Sequence, residues 1–156
     1  MRKFPITAIL ENIRSAHNVG AMLRTADGAN IQDMYLLGIT PYPPHERVLK
    51  TALGAENSVA WHHEKNSAAA LEELAEKMTL VAVEITENAK IYFNNTFSKP
   101  VGVIFGNEIT GVSESALKLS NQVIKIPMFG KKTSLNVATS FGIIIYEIIR
   151  QWQQHA

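Results

Sequence analysis

Val101-Gly102-Val103-Ile104-Phe105-Gly106-Asn107-Glu108-Ile109-Thr110-Gly111-Val112-Ser113 is the stretch that decides the fold. Val101 to Phe105 is continuously apolar, without the alternation of a strand that has one wet face. Such strands belong to parallel sheets covered by helices on both sides. The residues that follow turn polar and include two glycines, Gly106 and Gly111, which let backbone approach a ligand closely. Ser113 then suits the N-cap of a helix running to Leu119. Strand, polar loop and helix in this order form the repeating unit of an open α/β sheet, whose ligands bind beyond the carboxyl ends of the strands.

The same pattern extends outward in both directions. Ile6 to Leu10, Met34 to Leu37, Thr79 to Val83 and Val123 to Ile126 are further β-rich apolar runs. Val19 to Ala29 and Ser67 to Lys77 have helical spacing, with Asn18 as N-cap of the first. The fold class is therefore α/β, a mostly parallel sheet flanked by helices. From Asn136 to about Gln154, Val137, Phe141, Ile144, Ile145, Ile148, Ile149 and Trp152 fall on one stripe, which predicts a long amphipathic helix. The stripe is broad enough that ordinary core packing and contact with a second copy of the chain are both open. Only His62 to Asn66 and Glu87 to Lys99 have linker-like composition, and no repeat is present, so 1–156 reads as a single domain.

With 156 residues and 46% apolar composition, the chain can bury a sizeable core. No run approaches the roughly 20 apolar residues of a membrane helix. Met1 to Leu10 is too short and mixed for a signal peptide, so a cytoplasmic location is expected. The absence of cysteine excludes disulfides, thiolate metal sites and cysteine nucleophiles. His17, His45, His62, His63 and His155 have no ligand spacing, and His62 and His63 would point oppositely in a strand, so no metal is predicted. A net charge of +1 does not by itself indicate nucleic acid.

Costly polar residues gather at three strand exits. In the first, Glu11 to Gly28, Arg14, Asn18 and Arg24 stand out. Arg24 lies about a turn and a half into a helix starting near Val19, where its fork could clamp a phosphate. Pairing with Asp27 is the bland alternative. In the second, Glu108 could accept from a ligand amine or hold an arginine. In the third, Ile126 to Ala138, either Ser134 or Asn136 could cap the final helix. Gly130-Lys131-Lys132-Thr133 is not a triphosphate-binding loop, because Lys125 stands where its first glycine belongs. Asn12 to Gly20 holds one glycine, which disfavours a dinucleotide dehydrogenase or a methyltransferase with the usual glycine-rich loop.

Asn18-Val19-Gly20-Ala21-Met22-Leu23-Arg24-Thr25-Ala26, Phe105-Gly106-Asn107-Glu108 with Gly111 and Ser113, and Ile126-Pro127-Met128 through Ser134-Leu135-Asn136-Val137-Ala138 together resemble the three motifs of the SpoU (TrmH-like) branch of the SPOUT RNA methyltransferases. Lys50-Thr51-Ala52-Leu53-Gly54-Ala55 is also similar to family sequence, and the resemblance runs from about Glu11 to Gln151. It implies a C-terminal deep trefoil knot, against the general prior. It further implies S-adenosylmethionine as cofactor, with S-adenosylhomocysteine as product, and methylation of a ribose 2′-hydroxyl in tRNA or rRNA, tRNA being favoured. Ile104, Phe105, Gly106, Asn107, Glu108, Ile126, Met128, Leu135, Asn136 and Ala138 would bind the cofactor.

The resemblance also implies a homodimer, in which Asn18 and Arg24 of one subunit complete the site of the other. Arg24 would be the main catalytic group, with Asn18, Glu108, Ser134 and Asn136 orienting it and the nucleotide. Because guanidinium stays protonated, charge stabilisation and phosphate clamping are easier roles for Arg24 than proton abstraction. Arg14, Arg24, Lys50, Lys131 and Lys132 are candidate RNA contacts. Many relatives carry additional RNA-binding segments, so a minimal catalytic core is expected here. The alternatives are an RNA-binding module that has lost catalysis, and a base or small-molecule methyltransferase of the wider SPOUT group.

Overall fold

The computed structural model describes Met1–Ala156. Its strands are β1 (Phe4–Glu11), β2 (Ile31–Leu37), β3 (Trp61–Glu64), β4 (Thr79–Val83), β5 (Lys90–Ile91), β6 (Val101–Phe105) and β7 (Gln122–Lys125). The helices are α1 (Ala16–Ala29), α2 (Glu46–Ala52), α3 (Ser67–Lys77), α4 (Glu114–Leu119) and α5 (Val137–Gln154). One seven-stranded sheet runs in the order β3-β2-β1-β6-β4-β7-β5, and every neighbouring pair is parallel.

The apolar run at Val101 to Phe105 is the middle strand. Ile6 to Leu10 of β1 pair with it on one side and Thr79 to Val83 of β4 on the other, and all of β6 is buried. Its side chains alternate between two cores, as strand geometry demands. Val101, Val103 and Phe105 join α1, α2 and α5 in the larger cluster, while Ile104 joins α3 and α4 in the smaller one. The continuous apolarity of the strand follows from having helices on both faces.

In α5, Phe141, Ile144, Ile145, Ile148, Ile149 and Trp152 are all buried against the chain's own sheet, with the Phe141 ring 5.0 Å from that of Phe105. Each such burial contributes about 1.5–3 kcal/mol. The broad stripe is thus core packing, and it gives no argument for a second subunit. Trp152 also donates from Nε1 to the Phe97 carbonyl at 2.9 Å, tying down the stretch before β6.

Three local expectations are corrected. Helix α1 begins at Ala16, not Val19. Ser15 is extended and accepts from the Asn18 N–H, so Ser15 is the N-cap and Asn18 lies in the first turn. The segment expected to be linker-like at His62 to Asn66 includes most of β3, an edge strand whose His62 and Glu64 are exposed, which explains its polar sequence. The stretch Glu87 to Lys99 contains β5 and a single turn of 3₁₀ helix at Tyr92–Asn94. Close contact of α1 with α2 requires Gly20, where a Cβ would overlap the Val48 carbonyl and the Thr51 hydroxyl. No helix is long and apolar enough to cross a membrane.

Candidate active site

The carboxyl ends of β4, β6 and β7 open onto one cavity of about 640 Å³. Its walls are Val83 to Ile85, Phe105 to Gly111, Lys125, Ile126 and Met128, and Thr133 to Val137 with Ser140. The second and third polar clusters of the sequence therefore meet, at the place an open parallel sheet offers a ligand.

The loop after β6 is held tight by its own side chains. Asn107 Oδ1 accepts from the Ile109 and Thr110 N–H groups at 2.8 and 3.0 Å, and Asn107 Nδ2 donates to the Asn12 carbonyl at 2.8 Å. Gly106 packs directly on backbone, because a Cβ there would overlap Gly111 and the Val112 nitrogen. Gly111 has φ +74, and a Cβ there would meet the Glu84 carboxylate. The two glycines thus let this loop fold tightly on itself beside the cavity, and at these two positions the lining carries no side chain, only N–H and C=O groups that can address a ligand.

Glu108 joins this loop to the first cluster. Its Oε1 accepts from the Arg14 N–H at 2.8 Å, and its Oε2 from the Ser15 N–H at 2.9 Å and from Asn18 Nδ2 at 3.1 Å. Burial pushes the Glu108 carboxyl up, but the N–H groups of Arg14, Ser15 and Glu108 itself, with the Asn18 amide, outweigh it and hold the carboxyl below its usual range. Asn136 joins the third cluster, donating from Nδ2 to Asn18 Oδ1 at 3.3 Å while its Oδ1 caps α5 by accepting from the Ala138 and Thr139 N–H groups. Of the two residues weighed as the cap of this helix, Asn136 is the one that serves.

Phe105, Gly106, Asn107, Glu108, Ile126, Met128, Ser134, Leu135 and Asn136 line the cavity. Ile104 and Ala138 do not; Ile104 is buried in the smaller core, and Ala138 packs on the larger one in the first turn of α5. Lys131 and Lys132 are exposed on the loop between Met128 and Thr133. Arg24 stands apart. It has no ion pair, with Asp27 or any other residue, and lines a second concavity of about 660 Å³ with Lys50, Thr51, Leu53 and Tyr146. Within one chain, Asn18, Glu108 and Asn136 come together and Arg24 does not join them.

Two carboxylates of this region escaped the sequence reasoning. Glu11, buried at the end of β1, accepts from the Ser113 N–H at 2.8 Å and its hydroxyl at 2.5 Å. Glu84, just after β4, accepts from the Val112 N–H at 2.8 Å and the Ile85 N–H at 3.0 Å. The available signal was an acidic residue following an apolar strand at the ligand-binding edge of the sheet.

The cavity holds no histidine, and nowhere do three or more histidine or acidic side chains group to hold a metal. Its amides, its hydroxyls and the low-pKa Glu108 carboxylate orient groups well but take protons poorly, and the other carboxylate of the lining, Glu84, is engaged by the Val112 and Ile85 N–H groups. The arrangement suits a reaction driven by placement of the reactants.

The chain matches the model of the SpoU rRNA Methylase family over residues 5–146. The tRNA (guanosine(18)-2′-O)-methyltransferase of Thermus thermophilus is 34% identical over 151 residues, covering 96% of this chain and 77% of that protein. The Escherichia coli enzyme of the same name is 30% identical over 156 residues, covering 97% of this chain but 66% of its own length. Among solved structures, the SpoU methyltransferase AviRb from Streptomyces viridochromogenes in complex with the cofactor AdoMet superposes with a TM-score of 0.88 at 22% identity, over 98% of this chain and 60% of that one.

Proposed function

The chain belongs to the SpoU rRNA methylase family, and we propose that it transfers a methyl group from S-adenosylmethionine to a ribose 2′-hydroxyl of structured RNA, tRNA in preference to rRNA. The observation that carries this is the cavity at the carboxyl ends of β4, β6 and β7, walled by bare backbone at Gly106 and Gly111 and joined through Glu108, Asn18 and Asn136 to α1. The preference for tRNA is supported by the names of the Thermus and Escherichia relatives.

The cofactor, when bound, supplies an electrophilic methyl group on a cationic sulfur. The 2′-oxygen would take that methyl as the C–S bond gives its pair to the sulfur, and the hydroxyl would give up its proton. The chain's own part is placement. The backbone of Phe105 to Gly111 and of Ile126 to Met128 holds the nucleoside portion, while Leu135 and Asn136 close the side next to α5. Asn18 and Asn136 position the ribose, and Ser134, which lines the cavity, offers a further hydroxyl.

Arg24 acts from a second copy of the chain. Its place in a concavity that shares no lining residue with the cavity at Glu108, and its lack of an ion pair within the chain, support this arrangement. Its guanidinium then clamps a phosphate and stabilises the negative charge growing on the 2′-oxygen. Residues 1–156 form one methyltransferase domain of a cytoplasmic homodimer, knotted at its C-terminal part, with Arg14, Lys50, Lys131 and Lys132 as further RNA contacts. No metal takes part.

The test is transfer of isotopically labelled methyl from S-adenosylmethionine to unmethylated tRNA and rRNA transcripts, followed by digestion to nucleosides, beside Arg24→Ala. Labelled 2′-O-methylnucleosides from the unmutated protein alone are expected. Label on a base would move the protein to another SPOUT activity. Cofactor binding without any transfer would leave it an RNA-binding module.

A further inference from the structure

We propose that Phe129 is a stacking platform for an unstacked base of the RNA substrate, with Lys131 and Lys132 holding the adjoining backbone phosphates; this rests on the RNA-methylating function proposed above.

Phe129 is 91% exposed, more than any other large apolar side chain except the terminal Met1. It belongs to neither hydrophobic core and pairs with no other aromatic ring. A single exposed apolar side chain is ordinary in itself; what distinguishes this ring is its place in the loop between two cavity-lining residues and next to two unpaired lysines.

Its location narrows the occupant. Met128 on one side and Thr133 on the other line the cavity, whereas Phe129 does not, so the ring stands on a short loop at the mouth. The cavity lining itself includes exposed apolar side chains, Ile109 at 72%, Ile85 at 51% and Leu135 at 37%. The face of a nucleobase is planar and apolar, and it stacks on aromatic rings whatever its sequence.

Charge points to a nucleic-acid base over an apolar peptide. Lys131 and Lys132 follow Phe129 after Gly130, both are exposed, and neither forms an ion pair. A Cβ built on Gly130, between the ring and the lysines, would meet nothing within 4 Å. In a chain with a net charge of only +1, two free cations beside the most exposed ring of the site are a local RNA signature. A base seated on Phe129 would bring its own ribose, or that of a neighbour, over the cavity.

The experiment measures binding of unmethylated tRNA transcripts by fluorescence anisotropy, S-adenosylmethionine binding by calorimetry, and oligomeric state by sedimentation, for Phe129→Ala, Phe129→Tyr and Phe129→Leu. Phe129→Ala is expected to weaken tRNA binding roughly 5- to 150-fold, with cofactor affinity and oligomeric state unchanged. Phe129→Tyr restores binding and Phe129→Leu does not, since stacking needs a ring. Lys131→Ala and Lys132→Ala each lower the salt dependence of binding by about one charge. Unchanged tRNA affinity in Phe129→Ala overturns the proposal. Weaker cofactor binding in its place makes Phe129 a cover for the cofactor, and dissociation of the dimer makes it a subunit contact. Because tRNA binding is read directly, a failure of methyl transfer by the unmutated protein is distinguished from a failure of the Phe129 proposal.

Discussion

The Glu108 carboxylate lies 3.1 Å from the Asn18 side-chain amide, and that amide's oxygen lies 3.3 Å from the Asn136 side-chain nitrogen. Three segments far apart in sequence are thereby locked together: the loop after β6, the first turn of α1 and the start of α5. Each amide is oriented by its two neighbours. Glu108 requires a donor from Asn18, which leaves the Asn18 oxygen to face the Asn136 N–H.

Glu108→Gln removes the charge and gives the side chain only one oxygen for the donors of Arg14, Ser15 and Asn18. A loss of about 1 kcal/mol is expected, less than the roughly 1.5–3 kcal/mol usual for hydrogen bonds to a charged acceptor, because Glu108 is exposed and its charge is screened by solvent. The sign of the pH dependence follows from the lowered carboxyl pKa. The stabilisation is fully present above the unfolded value of about 4.3 and is lost as pH falls through the lower folded value. Thermal unfolding of the two proteins should therefore differ by a constant amount at neutral pH and converge in acid. A difference that persisted in acid would show that the charge is not what stabilises.

Gly106→Ala places a methyl group against the backbone of Gly111 and Val112, which has no side-chain freedom to yield. Overpacking of this kind costs about 1–3 kcal/mol, and here the strain falls on the cavity wall. Calorimetry should show S-adenosylmethionine affinity reduced by about tenfold or more, 1.4 kcal/mol corresponding to each factor of ten. Gly130→Ala, whose methyl meets nothing, should leave both stability and affinity unchanged.

Arg24→Lys keeps the charge but loses the planar fork. The methyl-transfer rate is expected to fall by about 10²- to 10³-fold, the range for losing one well-placed charge-stabilising donor, with cofactor affinity unaltered. Since Arg24 is proposed to act on the partner's cavity, mixed dimers of Arg24→Ala and Gly106→Ala, assayed at a cofactor concentration too low to fill the Gly106→Ala cavity, should show more activity than either variant alone. No recovery in demonstrated mixed dimers would mean that Arg24 serves its own chain.

What the sequence discloses here depends on how many constraints act on a residue at once. Val101 to Phe105 is legible because two helical layers press on it and leave no polar option. The stripe of α5 is equally legible, but its partner is not; six bulky side chains on one face look the same whether they meet the chain's own sheet or another subunit. Edge strand β3 escapes notice because only one of its faces is protected, so Trp61-His62-His63-Glu64 carries little apolar pattern. Glu11 and Glu84 read as ordinary surface acids until the fold brings the Ser113 and Val112 N–H groups to them from distant segments. The motifs marked Asn18, Glu108 and Asn136 individually, while their mutual hydrogen bonding is a property of the tertiary structure alone.

Asn136 has two roles that substitution can separate. Its Oδ1 caps α5 through the Ala138 and Thr139 N–H groups at 2.8 and 3.3 Å, and its Nδ2 orients Asn18. Asn136→Asp retains the capping oxygen and adds a negative charge at a helix N-terminus, which stabilises by about 0.3–1 kcal/mol. It also turns an acceptor toward the Asn18 oxygen. Asn18 can relieve that repulsion only by rotating its amide, which takes its N–H away from Glu108. The gain at the helix N-terminus and the lost Asn18–Glu108 bond offset each other, so stability should stay within about 1 kcal/mol of the original, yet methyl transfer should be much slower. Asn136→Ala gives the complementary result, since it loses the cap at about 1 kcal/mol and the donor together. If Asn136→Asp transferred methyl at the original rate, Asn136 would be a helix cap and nothing more, and the orientation of Asn18 would have to come from the RNA itself.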